Sequence, residues 1–161
     1  MEDFRLVSAL EHRELLLPLY EEYATMLLKT DPVFADSLAQ QHYDEEIEHL
    51  EDKYCPPNGI IYLVYIGDAL AGCVGMKSSD AEHAELKRLY VRPAFRGHNL
   101  GERLVRRIMA DAAAAGYRWL RLDTLPGLKT ALALYRRMGF YEIPPYYDCL
   151  VPKTIFMEIE L

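Results

Sequence analysis

Arg96-Gly-His-Asn-Leu-Gly101 is the stretch of this chain whose residue types and spacing are best suited to chemistry. It leads directly into an apolar run at helical spacing (Leu100, Leu104, Val105, Ile108, Met109, Ala112), and Gly116 stands where a C-terminal cap belongs. The first N–H groups of a helix have no intrahelical partner, and the helix dipole concentrates positive charge there. A glycine- and arginine-bearing entry to a helix is therefore an anion site. Residues 96–101 are expected to cradle a phosphate-bearing cofactor. Two familiar phosphate loops are excluded, because the chain has neither G-x-x-x-x-G-K-[ST] nor G-x-G-x-x-G with an acidic residue about twenty positions on.

Other chemistries find less support. Cys55, Cys73 and Cys149 are too far apart for zinc ligation, and their odd number argues against a disulfide framework. They are expected as buried or partly buried free thiols. His12, His42, His49 and His83 form no metal-ligand spacing, so no metal is expected. A net charge of −7 and a pI near 5.2 disfavour nucleic acid as a partner and mildly favour a cationic substrate. Asp44, Glu45, Glu46, Glu48, Glu51 and Asp52 either attract such a substrate or form a solvated helix face, and the face is the expected reading.

These residues need elements to position them. A length of 161 residues suits one domain, 1–161, large enough to bury about 70% of its unfolded surface. No apolar run approaches the ~20 residues of a membrane span, and the start lacks a basic region followed by an apolar one; a cytoplasmic protein without membrane association is expected. The pattern predicts a strand at 5–10 and a helix from Glu11 to about Leu28, interrupted by Asp31-Pro32. Ser37 and Gln40 offer a capping box for a second helix carrying Tyr43, Ile47, Leu50 and Tyr54. A hairpin of 60–66 and 69–77 turns at Gly67-Asp68, and a fourth strand covers about 82–91. The helix opened by the 96–101 loop, a strand at 119–124, a helix at 127–138 and strands near 140–143 and 154–161 complete the order.

Within the fourth strand, Ala84 and Leu86 set one apolar parity and Leu89 and Val91 the other. A three-residue step inside a period-two element is a β-bulge, expected at Lys87-Arg88. The segment Pro144 to Pro152 carries Tyr146 and Tyr147, and it either lines a pocket or connects two strands.

At these motifs the chain resembles the GNAT N-acetyltransferases, whose acetyl-CoA loop reads [QR]-x-x-G-x-[GA]. Arg96 and Gly101 match, while Asn99 stands at the first glycine and tolerates left-handed backbone. Ala131-Leu-Ala-Leu-Tyr-Arg-Arg-Met-Gly-Phe140 is similar to the family's A-x-x-x-Y-x-x-x-G-F segment, and Leu128 stands where members often carry Asn. The likeness covers roughly residues 60–161.

The resemblance implies an α/β GNAT fold, a mixed six- to seven-stranded sheet flanked by helices and splayed between strands 4 and 5. It implies acetyl-CoA as co-substrate, held by Arg96, Gly97, His98, Asn99, Leu100 and Gly101 and by the backbone of Leu89, Tyr90 and Val91. It also implies acetylation of a primary amine, small or on a protein, by direct attack on the thioester. The Leu89 N–H would face the thioester oxygen, Tyr135 would be the general acid and Glu85 the base. Arg92, Arg103, Arg106, Arg107, Arg136 and Arg137 surround this site, some as phosphate ligands and 106 and 107 as solvated face. A non-catalytic CoA-binding module and a different short acyl donor are the alternatives. A monomer or homodimer is compatible with all of them.

Overall fold

Period-two segments interleaved with helical ones along the chain give a mixed sheet with helices on both faces. The computed structural model describes residues 3–30, 43–149 and 151–161. The strands are β1 (Phe4–Ser8), β2 (Ile60–Ile66), β3 (Ala69–Ser78), β4 (His83–Val91), β5 (Trp119–Thr124), β6 (Tyr141–Ile143) and β7 (Ile155–Glu160). They form one sheet in the order β1-β2-β3-β4-β5-β7-β6, antiparallel throughout except for β4 beside β5. That parallel pair is joined through the helix α4 (Leu100–Ala114), as a parallel crossover requires. The remaining helices are α1 (Leu16–Thr30), α2 (Tyr43–Glu48), α3 (Glu51–Tyr54) and α5 (Lys129–Met138).

Two apolar clusters cover the two faces. On one, Leu104, Val105, Ile108 and Ala112 of α4 and Leu132, Leu134 and Tyr135 of α5 pack on Ala84, Leu86, Leu120 and Leu122. On the other, Leu16, Leu19 and Tyr20 of α1 and Leu50 and Tyr54 pack on Ile61, Leu63, Cys73 and Tyr90. Each fully buried aliphatic side chain contributes on the order of 1.5–3 kcal/mol, so the helix faces, more than helix propensity, fix these elements. Gly67 turns the β2–β3 hairpin at φ +58°. Both α4 and α5 end as six-to-one caps. Gly116 and Gly139 are left-handed, and Tyr117 N–H and Phe140 N–H donate to the carbonyls of Ala112 and Tyr135.

Several boundaries differ from the sequence expectation. The first strand stops at Ser8, and residues 9–11 and 13–15 form two short 3-10 turns, so α1 starts at Leu16 rather than Glu11. Pro18 then falls in the first turn of α1, where its missing N–H costs nothing. The helix expected through Tyr54 is divided at His49-Leu50. Arg13 Nη1 takes the Ile47 and Glu48 carbonyls at 3.3 and 3.1 Å, and the next turn tightens to bonds such as Asp52 N–H to His49 C=O. The Asp31-Pro32 interruption, the Ser37–Gln40 cap and His42 lie outside the described residues. Cys55 is exposed rather than buried, while Cys73 is buried and Cys149 half-buried. Among the described residues no helix is long and apolar enough to cross a membrane.

Candidate active site

Strand β4 is where the sheet opens. It pairs with β5 only over His83–Glu85 against Trp119–Arg121, although both strands continue beyond. On its other side the register with β3 jumps from Gly75↔Lys87 to Cys73↔Tyr90. One β3 residue, Val74, thus faces two on β4, and the bulge is Arg88-Leu89, one residue beyond the expected position. Arg88 carries the irregularity with φ 57°. The bulge keeps Leu89 and Val91 packed against the same cluster as Ala84 and Leu86, as the parity switch required. Gly72 allows the close approach of β3: a Cβ there would stand 2.0 Å from the Tyr90 carbonyl oxygen.

A buried ion cluster holds this strained residue. Arg88 Nε and Nη2 donate to the two oxygens of Glu46 at 3.0 and 2.8 Å, and Lys53 Nζ donates to Glu46 Oε1 at 2.9 Å. The guanidinium also lies 5.3 and 5.1 Å from the ring centroids of Tyr20 and Tyr43. Burial alone would raise the Glu46 carboxyl, but the bonds and charges of Arg88 and Lys53 override it and hold the group at about 2. Glu46 is therefore buried (6% exposed), which corrects its placement on a solvated face; Asp44, Glu45, Glu48, Glu51 and Asp52 are exposed as expected. A signal was present in the sequence: Tyr43, Glu46 and Leu50 share one helical stripe.

At the far end of β4 the 96–101 loop enters α4. Gly97 has φ +88°, and a Cβ there would meet nothing within 4 Å. Asn99 occupies the N-cap in the left-handed conformation (φ 58°) without a side-chain cap bond. The N–H groups of Leu100, Gly101 and Glu102 thus have no intrahelical partner, and residues 96–99 are exposed. Open space, unpartnered donors and a positive helix end fit a pyrophosphate. The Arg96 side chain is turned the other way, with Nε donating to the Val91 carbonyl at 3.0 Å and Nη2 3.6 Å from Met26 Sδ. Arg92 is engaged by Glu22 at 2.9 and 3.1 Å and by the Leu70 carbonyl. Arg103 lies over the Phe4 ring, Arg106 pairs with Glu102, Arg107 with Asp111, and Arg136 and Arg137 are exposed.

A cavity of about 620 Å³ opens where β4 and β5 diverge. Glu85 lines it, although only 4% exposed. Tyr146 Oη donates to Glu85 Oε2 at 2.7 Å, Lys77 Nζ lies 3.4 Å from Oε1 and Lys87 Nζ 3.7 Å from Oε2. Asp123 of β5 lines it too and accepts from the Tyr147 hydroxyl. Burial, with the Glu85 and Asp123 charges, pushes the Tyr146 phenol far up; burial and Asp123 do the same to Tyr147. Tyr146, Tyr147 and Cys149 bring the 144–152 segment onto this cavity, one of the two expected roles. Sequence reasoning missed Asp123, whose signal was parity: it follows Arg121 by two, and Arg121 stands opposite Glu85.

Tyr135 is 6% exposed and does not line the cavity; its ring centroid is 5.6 Å from that of Phe140. Burial raises its phenol above the ordinary 10, with the cavity residues Tyr23 and Asp123 adding to the shift, so the hydroxyl stays protonated at working pH. The structure thus gathers Glu85, Asp123 and the two loop tyrosines into one cavity, leaves Tyr135 outside its lining, and puts the 96–101 loop beyond the bulge. Among the described residues no group of three or more His, Cys, Asp or Glu is arranged for a metal.

A sequence model of the acetyltransferase (GNAT) family matches residues 17–140, beginning in α1 well before the motifs singled out above. An uncharacterized N-acetyltransferase of Schizosaccharomyces pombe is 38% identical over 131 residues, covering 80% of this chain and 80% of that protein. Among solved structures, an acetyltransferase from Streptococcus agalactiae is similar with a TM-score of 0.81 at 20% identity, covering 100% of both chains. A GNAT family acetyltransferase from Elizabethkingia anophelis with acetyl-CoA bound gives 0.57 at 23% identity, covering 71% of this chain and 83% of that one. These two structural likenesses are likenesses of fold.

Proposed function

Because the chain belongs to the acetyltransferase (GNAT) family, we propose that it acts as one domain that moves the acetyl group of acetyl-CoA onto a primary amine in the cytoplasm. The observation that carries this reading is the conjunction on β4: a bulge at Arg88-Leu89 where the strand leaves β5, and just beyond it an exposed loop at 96–99 leading into a helix start whose first N–H groups have no intrahelical partner. Acetyl-CoA supplies an activated thioester. In the proposal Gly97, His98, Asn99, Leu100 and Gly101 bind its pyrophosphate, with Arg96 tying the loop to the end of β4. The backbone of Leu89, Tyr90 and Val91 aligns the pantetheine arm, and the Leu89 N–H meets the negative charge that develops on the attacked carbonyl.

Glu85 is the proposed base. The substrate ammonium gives it one proton, and the freed amine attacks. As the nitrogen–carbon bond forms and the carbon–sulfur bond breaks, the Tyr135 hydroxyl gives its proton to the thiolate. The second proton shed by nitrogen restores Tyr135. Lys77 and Lys87 flank Glu85 at 3.4 and 3.7 Å.

Binding is tested by melting. Acetyl-CoA is expected to raise the melting temperature in a saturable way, equivalent to about 2.7 kcal/mol at a hundred times its dissociation constant. Gly101→Glu is expected to abolish the shift by crowding and repelling phosphate. A Cβ at 101 meets only the flexible Leu134 Cδ2, at 3.2 Å, so Gly101→Ala is the packing control and should keep much of the shift. A full shift in Gly101→Glu would contradict the loop assignment.

A further inference from the structure

The charges lining the 620 Å³ cavity are sorted by side. Among the described lining residues, β3, β4 and α3 bring four cations, Lys53, Lys77, Lys87 and Arg88, and one carboxylate, Glu85; Glu46 of α2, outside the lining, binds Lys53 and Arg88. Lys77 and Lys87 share Glu85 at 3.4 and 3.7 Å, longer than the 2.7–2.9 Å of tight charged bonds. One oxygen of Glu85 is already taken by Tyr146 at 2.7 Å. Their donors are thus under-used, and among the described residues this side carries positive charge in excess. From β5 and the 144–152 segment come Asp123 and Asp148, and the bond that Asp123 accepts is from a neutral hydroxyl, Tyr147. Among the described residues that side carries negative charge in excess.

A plain cationic amine would satisfy only the second side and would face two lysines across the cavity. A molecule with charges of both signs satisfies both. The ammonium end belongs on Asp123, at the edge where β4 and β5 part, which is also where the proposed thioester lies. Lys77 and Lys87 stand on the β3–β4 side, with Glu85 between them and able to receive the ammonium's proton. At about 620 Å³ the cavity is of ordinary ligand size and takes a molecule as large as an amino acid together with the acyl end of the donor.

Resting on the acetyltransferase reading above, we propose that the acceptor is a zwitterion, an amine that also carries a carboxylate, with its ammonium at Asp123 and its carboxylate at Lys77 and Lys87. The class comprises free amino acids and their short peptides. Simple alkylamines and polyamines fall outside it.

The test fixes acetyl-CoA and measures thiol release with each L-amino acid beside its own carboxamide and its decarboxylated amine. The best amino acid is expected to exceed both partners in kcat/KM by roughly 10- to 100-fold, the scale of one charged hydrogen bond, chiefly through KM. In the Lys77→Met, Lys87→Met double variant the ratio of acid to carboxamide should collapse toward one. Decarboxylated amines turned over as well as the acids would overturn the inference while leaving acetyl transfer intact, and that comparison needs no variant. A ratio that survives in the double variant would also overturn it. Calorimetry of the same amino acids against the CoA-loaded protein separates the two readings. Saturable binding of acids and not of carboxamides, without thiol release, would support the zwitterion site and defeat the transfer.

Discussion

Tyr135→Phe is expected to lower turnover by roughly 10²-fold while acetyl-CoA affinity and folding survive, because only a hydroxyl is lost from a packed ring. Burial keeps that phenol protonated well beyond neutral pH, so its proton is in place wherever the protein is active, while the same shift makes it a weaker acid toward the thiolate. The deficit should therefore persist at high pH. Glu85→Gln is expected to fail differently. It keeps the shape of a buried side chain but cannot take a proton, so its deficit should shrink as pH rises and more of the amine is already neutral. The pH–rate profiles of both variants check this. Unchanged turnover in Tyr135→Phe, with chemistry as the slow step, would make Tyr135 a packing residue; a wild-type profile in Glu85→Gln would remove Glu85 as base.

Glu46→Gln is expected to cost about 3–5 kcal/mol, the scale for breaking a buried ion pair. Arg88 and Lys53 would lose the one carboxylate both of them bind. The folded carboxyl at about 2 lies below its ordinary 4.5, so this contribution is complete above 4.5 and is lost as pH falls from there toward 2. Denaturant unfolding of the wild type should weaken steeply over that window, and Glu46→Gln should show a flatter acid limb. Because Arg88 carries the positive φ of the bulge, the variant should also lose turnover beyond what its unfolded fraction explains. Equal stability and an identical acid limb in the two proteins would contradict this role of the buried ion cluster.

Much of this was legible in the chain because local chemistry wrote it. Gly67, Gly116 and Gly139 mark one turn and two helix ends, and all three adopt positive φ. Left-handed Asn99 stands where the loop motif has glycine. The parity step from Leu86 to Leu89 located the bulge to within one residue, since a strand cannot keep both on one face otherwise. What stayed hidden depends on distant partners. Glu46 read as solvated because its partner, Arg88, is 42 positions away and on another element. The break at His49-Leu50 is set by Arg13, and the start of α1 by turns that no hydrophobic period encodes. Asp123 became visible only when β5 was seen to leave β4 beside Glu85.

Direct transfer from acetyl-CoA to an amine can be followed by mass spectrometry of one reaction mixture holding protein, acetyl-CoA and a broad set of amines and amino acids. Equal amounts of N-acetylated acceptor and free CoA are expected, and a protein that gains no acetyl group when incubated with acetyl-CoA alone. Acetylated protein that forms first and then passes its acetyl group on would contradict direct attack, and Cys149 on the cavity wall is where to look for it. Acetyl-CoA that binds saturably and is never consumed would contradict the transfer itself.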